Sequence, residues 1–188
     1  MSIVPALLLK ILLSFQAAYG DHESDEQRAA RMSTIANAIA DATEHATCTG
    51  SYFGDENCER AWHGDALELE ALLVTIAGFE SSFSRRIHEG HCLPGECDSG
   101  LAKSLWQLHA GELVPMSVWS EIGAATAEST ALAAYSAAKV LGYSADRCGG
   151  SIEGAISMYA TGSTCHWAGA TKRVRACEKI QAQLSDQP

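Results

Sequence analysis

Apolar residues recur every three or four positions along most of this chain and almost nowhere alternate. That period belongs to helices that bury one face. Val4, Leu7, Leu8, Ile11, Leu12 and Phe15 form a first stripe. Met32, Ile35, Ile39 and Ala42 form a second, in a predicted helix over 26–46, with polar residues 21–25 offering N-caps. A third helix, over 66–83, carries Leu69, Leu72, Leu73, Ile76 and Phe83 on one face and is capped by Asp65. Short helices are predicted over 102–109 and 115–122. An alanine-rich helix covers 129–141 and is ended by Gly142. Helices over 151–160 and 168–184 complete an all-α reading. The segment 84–101 is long and irregular, broken by Pro94, Gly95 and Gly100, and is where a small hairpin would fit.

Glu80 stands out against this pattern. It lies four residues after Ile76 and three before Phe83, so a single helix through Phe83 puts a carboxylate in an apolar stripe. Charged residues are almost never fully buried unless paired or used. Loss of hydration raises a carboxyl pKa, and a carboxyl that holds its proton near neutral pH can act as a general acid. The bland alternative is a glutamate near a helix end, neutralised by Arg85 or Arg86.

The chain has 188 residues, enough for a sizeable core. Thirteen basic against 23 acidic residues give a net charge of −10, which argues against a nucleic-acid partner and against attraction to anionic membranes. The seven cysteines fall in loop-like sequence, which suggests stapled loops and an oxidising compartment. Proximity pairs Cys48 with Cys58, Cys92 with Cys97 and Cys148 with Cys165, leaving Cys177 free. A zinc site from His88, His91, Cys92 and Cys97 is the alternative, at a spacing that matches no trusted pattern. Residues 3–13 are mostly apolar and 17–20 offer small residues for cleavage, as in a secretory signal, yet there is no basic leader and Lys10 interrupts the run. A retained packing helix is the other reading of the same stripe. The run is too short for a stable membrane span.

Three segments, in order, resemble the lytic transglycosylases and goose-type lysozymes. Phe79-Glu80-Ser81-Ser82-Phe83 is similar to that family's Glu-Ser motif, with the catalytic glutamate at a helix end. Ser99–Leu108 is similar to its Gly-Leu-Met-Gln segment, with Ser104 in the glycine place, Trp106 in the methionine place and Gln107 retained. Residues 155–162 are similar to its Ala-Tyr-Asn-Ala-Gly segment, with Tyr159 matching and Ala160 where asparagine is usual.

The resemblance covers roughly 65–188 and implies a lysozyme-like catalytic domain there, with 1–64 as a helical segment packing on it. It implies cleavage of the MurNAc–GlcNAc bond of peptidoglycan, with Glu80 acting first as acid and then as base on the sugar's 6-hydroxyl. Ser81, Ser104, Gln107 and Tyr159 would contact substrate, and the Tyr159 hydroxyl would bond Glu80. No metal or organic cofactor is implied. The partner would be a glycan strand met outside the cytoplasm, by a monomer or as part of a phage particle. Glu89, Glu96 and Asp98 are the carboxylates on offer if a second one is needed. Trp106 reads as core or as a face for a sugar to stack on, Trp62, Trp119 and Trp167 as core or rim, and His109 as a partly buried histidine. A non-catalytic glycan-binding module on the same fold is the alternative.

Overall fold

The computed structural model describes residues 3–16, 21–48 and 61–186, without the side chains of Ile3 and Val4. It is mostly helical, with a small two-stranded antiparallel hairpin. Helix α1 spans Ile3–Ser14, α2 Asp25–Thr47, α3 Ala66–Ser81, α7 Ala127–Arg147, α8 Ile152–Thr161 and α9 Ala170–Ser185. Local chemistry sets their starts. Ser24 closes a capping box with Gln27 at the head of α2, and Asp65, Thr126 and Ser151 cap α3, α7 and α8.

Helix α2 lies against α7, α3 against α9, α1 against α2, and α7 against α8. One buried cluster runs through all six, from Leu8 and Leu12 on α1 to Ile180 and Leu184 on α9. Leu8 and Leu12 are fully buried, each worth about 1.5–3 kcal/mol relative to exposure. The first stripe is therefore a packing face. No helix among the described residues is long and apolar enough to cross a membrane.

Gly142 does not end α7, which continues to Arg147. A Cβ at Gly142 would lie 1.7 Å from the Ala61 carbonyl oxygen. The glycine is there so that the returning chain can press against the helix, not to stop it. The predicted helix over 102–109 is instead the hairpin, with strands β1 (Ala102–Lys103) and β2 (Leu108–His109) and Ala102 opposite His109. Ser104 and Gln107 hold φ of 67° and 50°, which no right-handed helix accepts. The hairpin thus follows the 84–101 segment and does not lie within it.

That segment holds α4 (Arg85–His88) and a turn, α5 (Cys97–Gly100), in which all four residues have left-handed φ. Helix α6 (Met116–Glu121) fills the predicted 115–122. Disulfides join Cys92 to Cys97 and Cys148 to Cys165, while Cys177 is free and buried. The predicted Cys48–Cys58 bridge ends on Cys58, which lies outside the described residues. The zinc alternative fails because both of its cysteines are consumed in one disulfide and His88 is buried against Thr130.

Candidate functional site

The last turn of α3 carries Glu80 to the rim of a cleft of about 640 Å³. The helix stops one residue later. Ser82 and Phe83 both take left-handed φ, of 50° and 52°, uncommon for any side chain but glycine. Four contacts hold this turn. Ser81 Oγ donates to the Ala77 carbonyl at 2.8 Å and accepts from Phe83 N at 3.2 Å. Arg31 Nη1 donates to the Phe83 carbonyl at 2.8 Å. The Phe83 ring meets Phe15 edge-on at 4.9 Å.

Because the helix breaks there, Phe83 is buried without Glu80 sharing its stripe. The Glu80 side chain is 22% exposed and ion-paired with Arg173 of α9. The expectation of a carboxyl within the buried apolar stripe is corrected, and the arginine that pairs with it is not one the sequence pointed to. Nor are Arg85 and Arg86 its partners: Arg85 pairs with Glu89 at 2.7 Å, and Arg86 with Glu96.

Glu96 lies on the same cleft, together with Ser81, Ser82, Arg86 and Gln107. Glu89 and Asp98 do not line it. The Arg86 guanidinium, helped by the Leu93 amide, holds the Glu96 carboxyl below its usual range. Two carboxylates from different segments therefore face one cavity, each paired with an arginine.

The Ser81 hydroxyl gives its proton to the Ala77 carbonyl and acts as a strut for the turn. Ser104 is buried and its φ of 67° is the left-handed conformation that glycine adopts without cost. Its Oγ accepts from Trp106 N at 3.3 Å, and it lines a neighbouring cavity of about 760 Å³, not the Glu80 cleft. Gln107 lines the Glu80 cleft, with Nε2 donating to the Ser104 carbonyl at 3.0 Å.

Tyr159 comes from α8. Its hydroxyl donates to the Trp106 carbonyl at 2.7 Å, so the predicted bond to Glu80 is not made. Burial, and next the nearby Glu80 carboxylate, push the Tyr159 pKa well up, with Arg173 opposing. Tyr159 therefore sits in the field of Glu80 while its bond locks the hairpin turn. Gln107 and Tyr159 both line a third cavity of about 500 Å³, which also takes in Leu108 and His109 of β2.

Trp106 is fully buried, with Nε1 donating to the Leu73 carbonyl at 3.0 Å. Trp62 is buried. Trp119 donates to the Leu108 carbonyl at 3.0 Å beneath Lys103. His109 is exposed rather than partly buried, and its Nε2 lies 2.9 Å from Asp98.

Three features were not foreseen from the sequence. Arg173 lies between the rings of Phe79 and Trp167, 5.2 Å from each. The acid buried on α3 is Glu70, 4% exposed, whose pKa burial, then Asp65, raises to about 7. The left-handed turn at 97–100 sets Glu96 at its edge. No group of three or more metal-ligating side chains occurs among the described residues. No protein-family model, curated protein or solved structure matches the chain.

Proposed function

We propose that this chain is a lysozyme-like enzyme that cleaves the MurNAc–GlcNAc bond of peptidoglycan, with Glu80 as the acid and base. One observation carries the reading. Each of the three segments that resemble the family's motifs contributes a residue at or near the Glu80 cleft. Glu80 ends α3, Gln107 shares its cleft, and Tyr159 lies in its field and bonds the hairpin turn. The left-handed Ser104 in the family's glycine place supports the same alignment.

A protonated Glu80 would give its proton to the leaving oxygen of the glycosidic bond. The resulting carboxylate would then take a proton from the 6-hydroxyl or from water. Glu96, held ionised by Arg86, supplies a second negative charge to an oxocarbenium-like transition state. The polar lining suits a carbohydrate, and the two disulfides fit an oxidising, extracytoplasmic setting.

The Glu80–Arg173 pair favours a second reading, a glycan-binding module that cuts nothing, because the pair occupies the carboxylate. Digestion of purified peptidoglycan, with mass spectrometry of the fragments, separates the two. Soluble muropeptides, anhydro or hydrolysed, are expected from the wild type. Glu80→Gln should lose about a hundred- to ten-thousand-fold in rate with its fold intact. More than about a tenth of wild-type activity in Glu80→Gln would remove Glu80 as the acid, and no fragments from the wild type would leave the binding module.

A further inference from the structure

An ion pair with arginine is made by a carboxylate, not by a carboxylic acid. If Glu80 is the acid, its pair with Arg173 must open before the proton can be delivered. The surroundings of Arg173 say how. The guanidinium carbon lies 5.2 Å from the centroid of the Phe79 ring and 5.2 Å from that of the Trp167 ring, within cation–π reach of both. Phe79 and Trp167 remain more than a third exposed, and the Arg173 side chain between them and Glu80 keeps 12% of its surface open. Only Nη1 is engaged, on Glu80 Oε1, and the other N–H groups have no acceptor among the described residues. Lys172 lies 5.7 Å from the Phe79 ring and adds a second cation to the same spot of an otherwise acidic chain.

A guanidinium fixed by two rings and bound through one nitrogen is an incompletely used carboxylate receptor, since its geometry matches a carboxylate through two parallel hydrogen bonds. We propose that Arg173 binds a carboxylate carried by the glycan strand, and that this exchange frees Glu80 to take up a proton from solvent. The proposal rests on the reading of Glu80 as the acid and adds the substrate feature that engages it. No covalent bond changes in the exchange: one carboxylate replaces another on the guanidinium, and the released one takes a proton. The ligand class is a glycan with a free carboxylate on its substituent, as opposed to a neutral amino-sugar polymer.

The test is equilibrium binding by calorimetry of a soluble muramyl-peptide fragment and of the same fragment with its carboxyls amidated. The full-length wild type, Arg173→Met and Arg173→Lys are compared. The wild type should bind the free-carboxylate form at least tenfold more tightly. Arg173→Met should bind both forms alike, and Arg173→Lys should keep part of the preference, because it restores the charge without the fork. A wild type that binds both forms equally, or an Arg173→Met variant that keeps the preference with its thermal midpoint unchanged, overturns the proposal. If Arg173→Met does not fold, Arg173→Lys decides, and an undiminished preference there counts against the fork. Wall digestion by the wild type is run beside it. Absence of cleavage with an Arg173-dependent preference would sink the enzyme and keep the carboxylate receptor.

Discussion

The Tyr159 hydroxyl donates to the Trp106 carbonyl at 2.7 Å and so ties α8 to the turn of the hairpin. This bond reaches across 53 residues of sequence and sets the hairpin against the helices. Tyr159→Phe keeps the ring and leaves a carbonyl without its partner. Stability should fall by about 1–2 kcal/mol, the cost of one bond plus part of an unmet acceptor. If the chain is the glycan-cleaving enzyme proposed above, the loss should reach activity through the hairpin and Gln107, because the hydroxyl does not bond Glu80, as a raised KM with kcat within a few-fold. Denaturant titration and steady-state kinetics on soluble glycan check this. A kcat loss of a hundredfold with unchanged stability would put the hydroxyl in the chemistry instead.

Much of the helical frame was legible because burial follows the helical period. The cap Asp65, the stripes on α1 to α3, and the two described disulfides follow from residue type and spacing. The hairpin was not legible. Leu105 and Trp106 are apolar and adjacent, which suits a short helix as well as a buried turn, and only the left-handed φ at Ser104 and Gln107 decides. Gly142 misled for a related reason: a glycine near a helix end reads as a stop, whereas here it admits a neighbouring backbone.

At the candidate site, the sequence singled out Glu80 but not its partner, because Arg173 lies 93 residues away on another helix. Periodicity pointed to Glu80 as the buried acid on α3 and passed over Glu70. A signal was present. From Leu69 to Ala77 the helix is buried on every side, and a helix apolar all round gives its one carboxylate nowhere to go.

Glu70 should make stability fall as pH rises. Its Oε2 is buried with no hydrogen-bond partner among the described residues, and its pKa is raised from 4.5 to about 7, mainly by burial. A carboxyl with a raised folded-state pKa binds its proton more tightly in the native state. Its contribution is fully present below about pH 4.5 and is lost as pH rises to about 7, on the order of 3 kcal/mol in all. Glu70→Gln should therefore gain stability at pH 8 and change little at pH 4.5. Urea midpoints at the two pH values measure it, and equal effects at both would show that Glu70 does not titrate there.

His88 should act in the opposite direction. It is 3% exposed, and its Nε2 meets Thr130 Oγ1 at 2.9 Å. Thr130 Oγ1 donates its own proton to the Thr126 carbonyl, so His88 Nε2 is the donor. Nδ1 is then a buried lone pair with no partner among the described residues. Burial first, then Arg31, lowers the His88 pKa from 6.5 to about 4. The neutral ring contributes stability that is present above about pH 6.5 and is lost as pH falls through 4, again on the order of 3 kcal/mol. Nuclear magnetic resonance titration of the ring protons should find His88 unprotonated at pH 5.5, well below the ordinary histidine midpoint. A midpoint near 6.5 for His88 would contradict the burial argument.

Gly142→Ala sets two effects against each other. Alanine is the better helix former, by about 1 kcal/mol in a helix interior. Against this, the new Cβ would stand 1.7 Å from the Ala61 carbonyl oxygen and 2.9 Å from its carbon, and both are backbone atoms. They cannot swing aside as a side-chain tip would. Ala61 N and Trp62 N both donate to the Ala46 carbonyl, at 3.0 and 2.9 Å, which docks this segment on the end of α2. Trp62 is itself buried, with Nε1 donating to the Asp65 carbonyl at 3.1 Å. Moving Ala61 away loosens these bonds and the cap of α3 beyond them. Overpacking of this kind costs about 1–3 kcal/mol, and each strained hydrogen bond about 1 more. The clash should win, with a net loss of about 2–4 kcal/mol. In a chain of this size that lowers the thermal midpoint by roughly 4–16 °C. A midpoint equal to or above the wild type would mean that the Ala61 segment does not press on α7, and that Gly142 is only a weak spot in the helix.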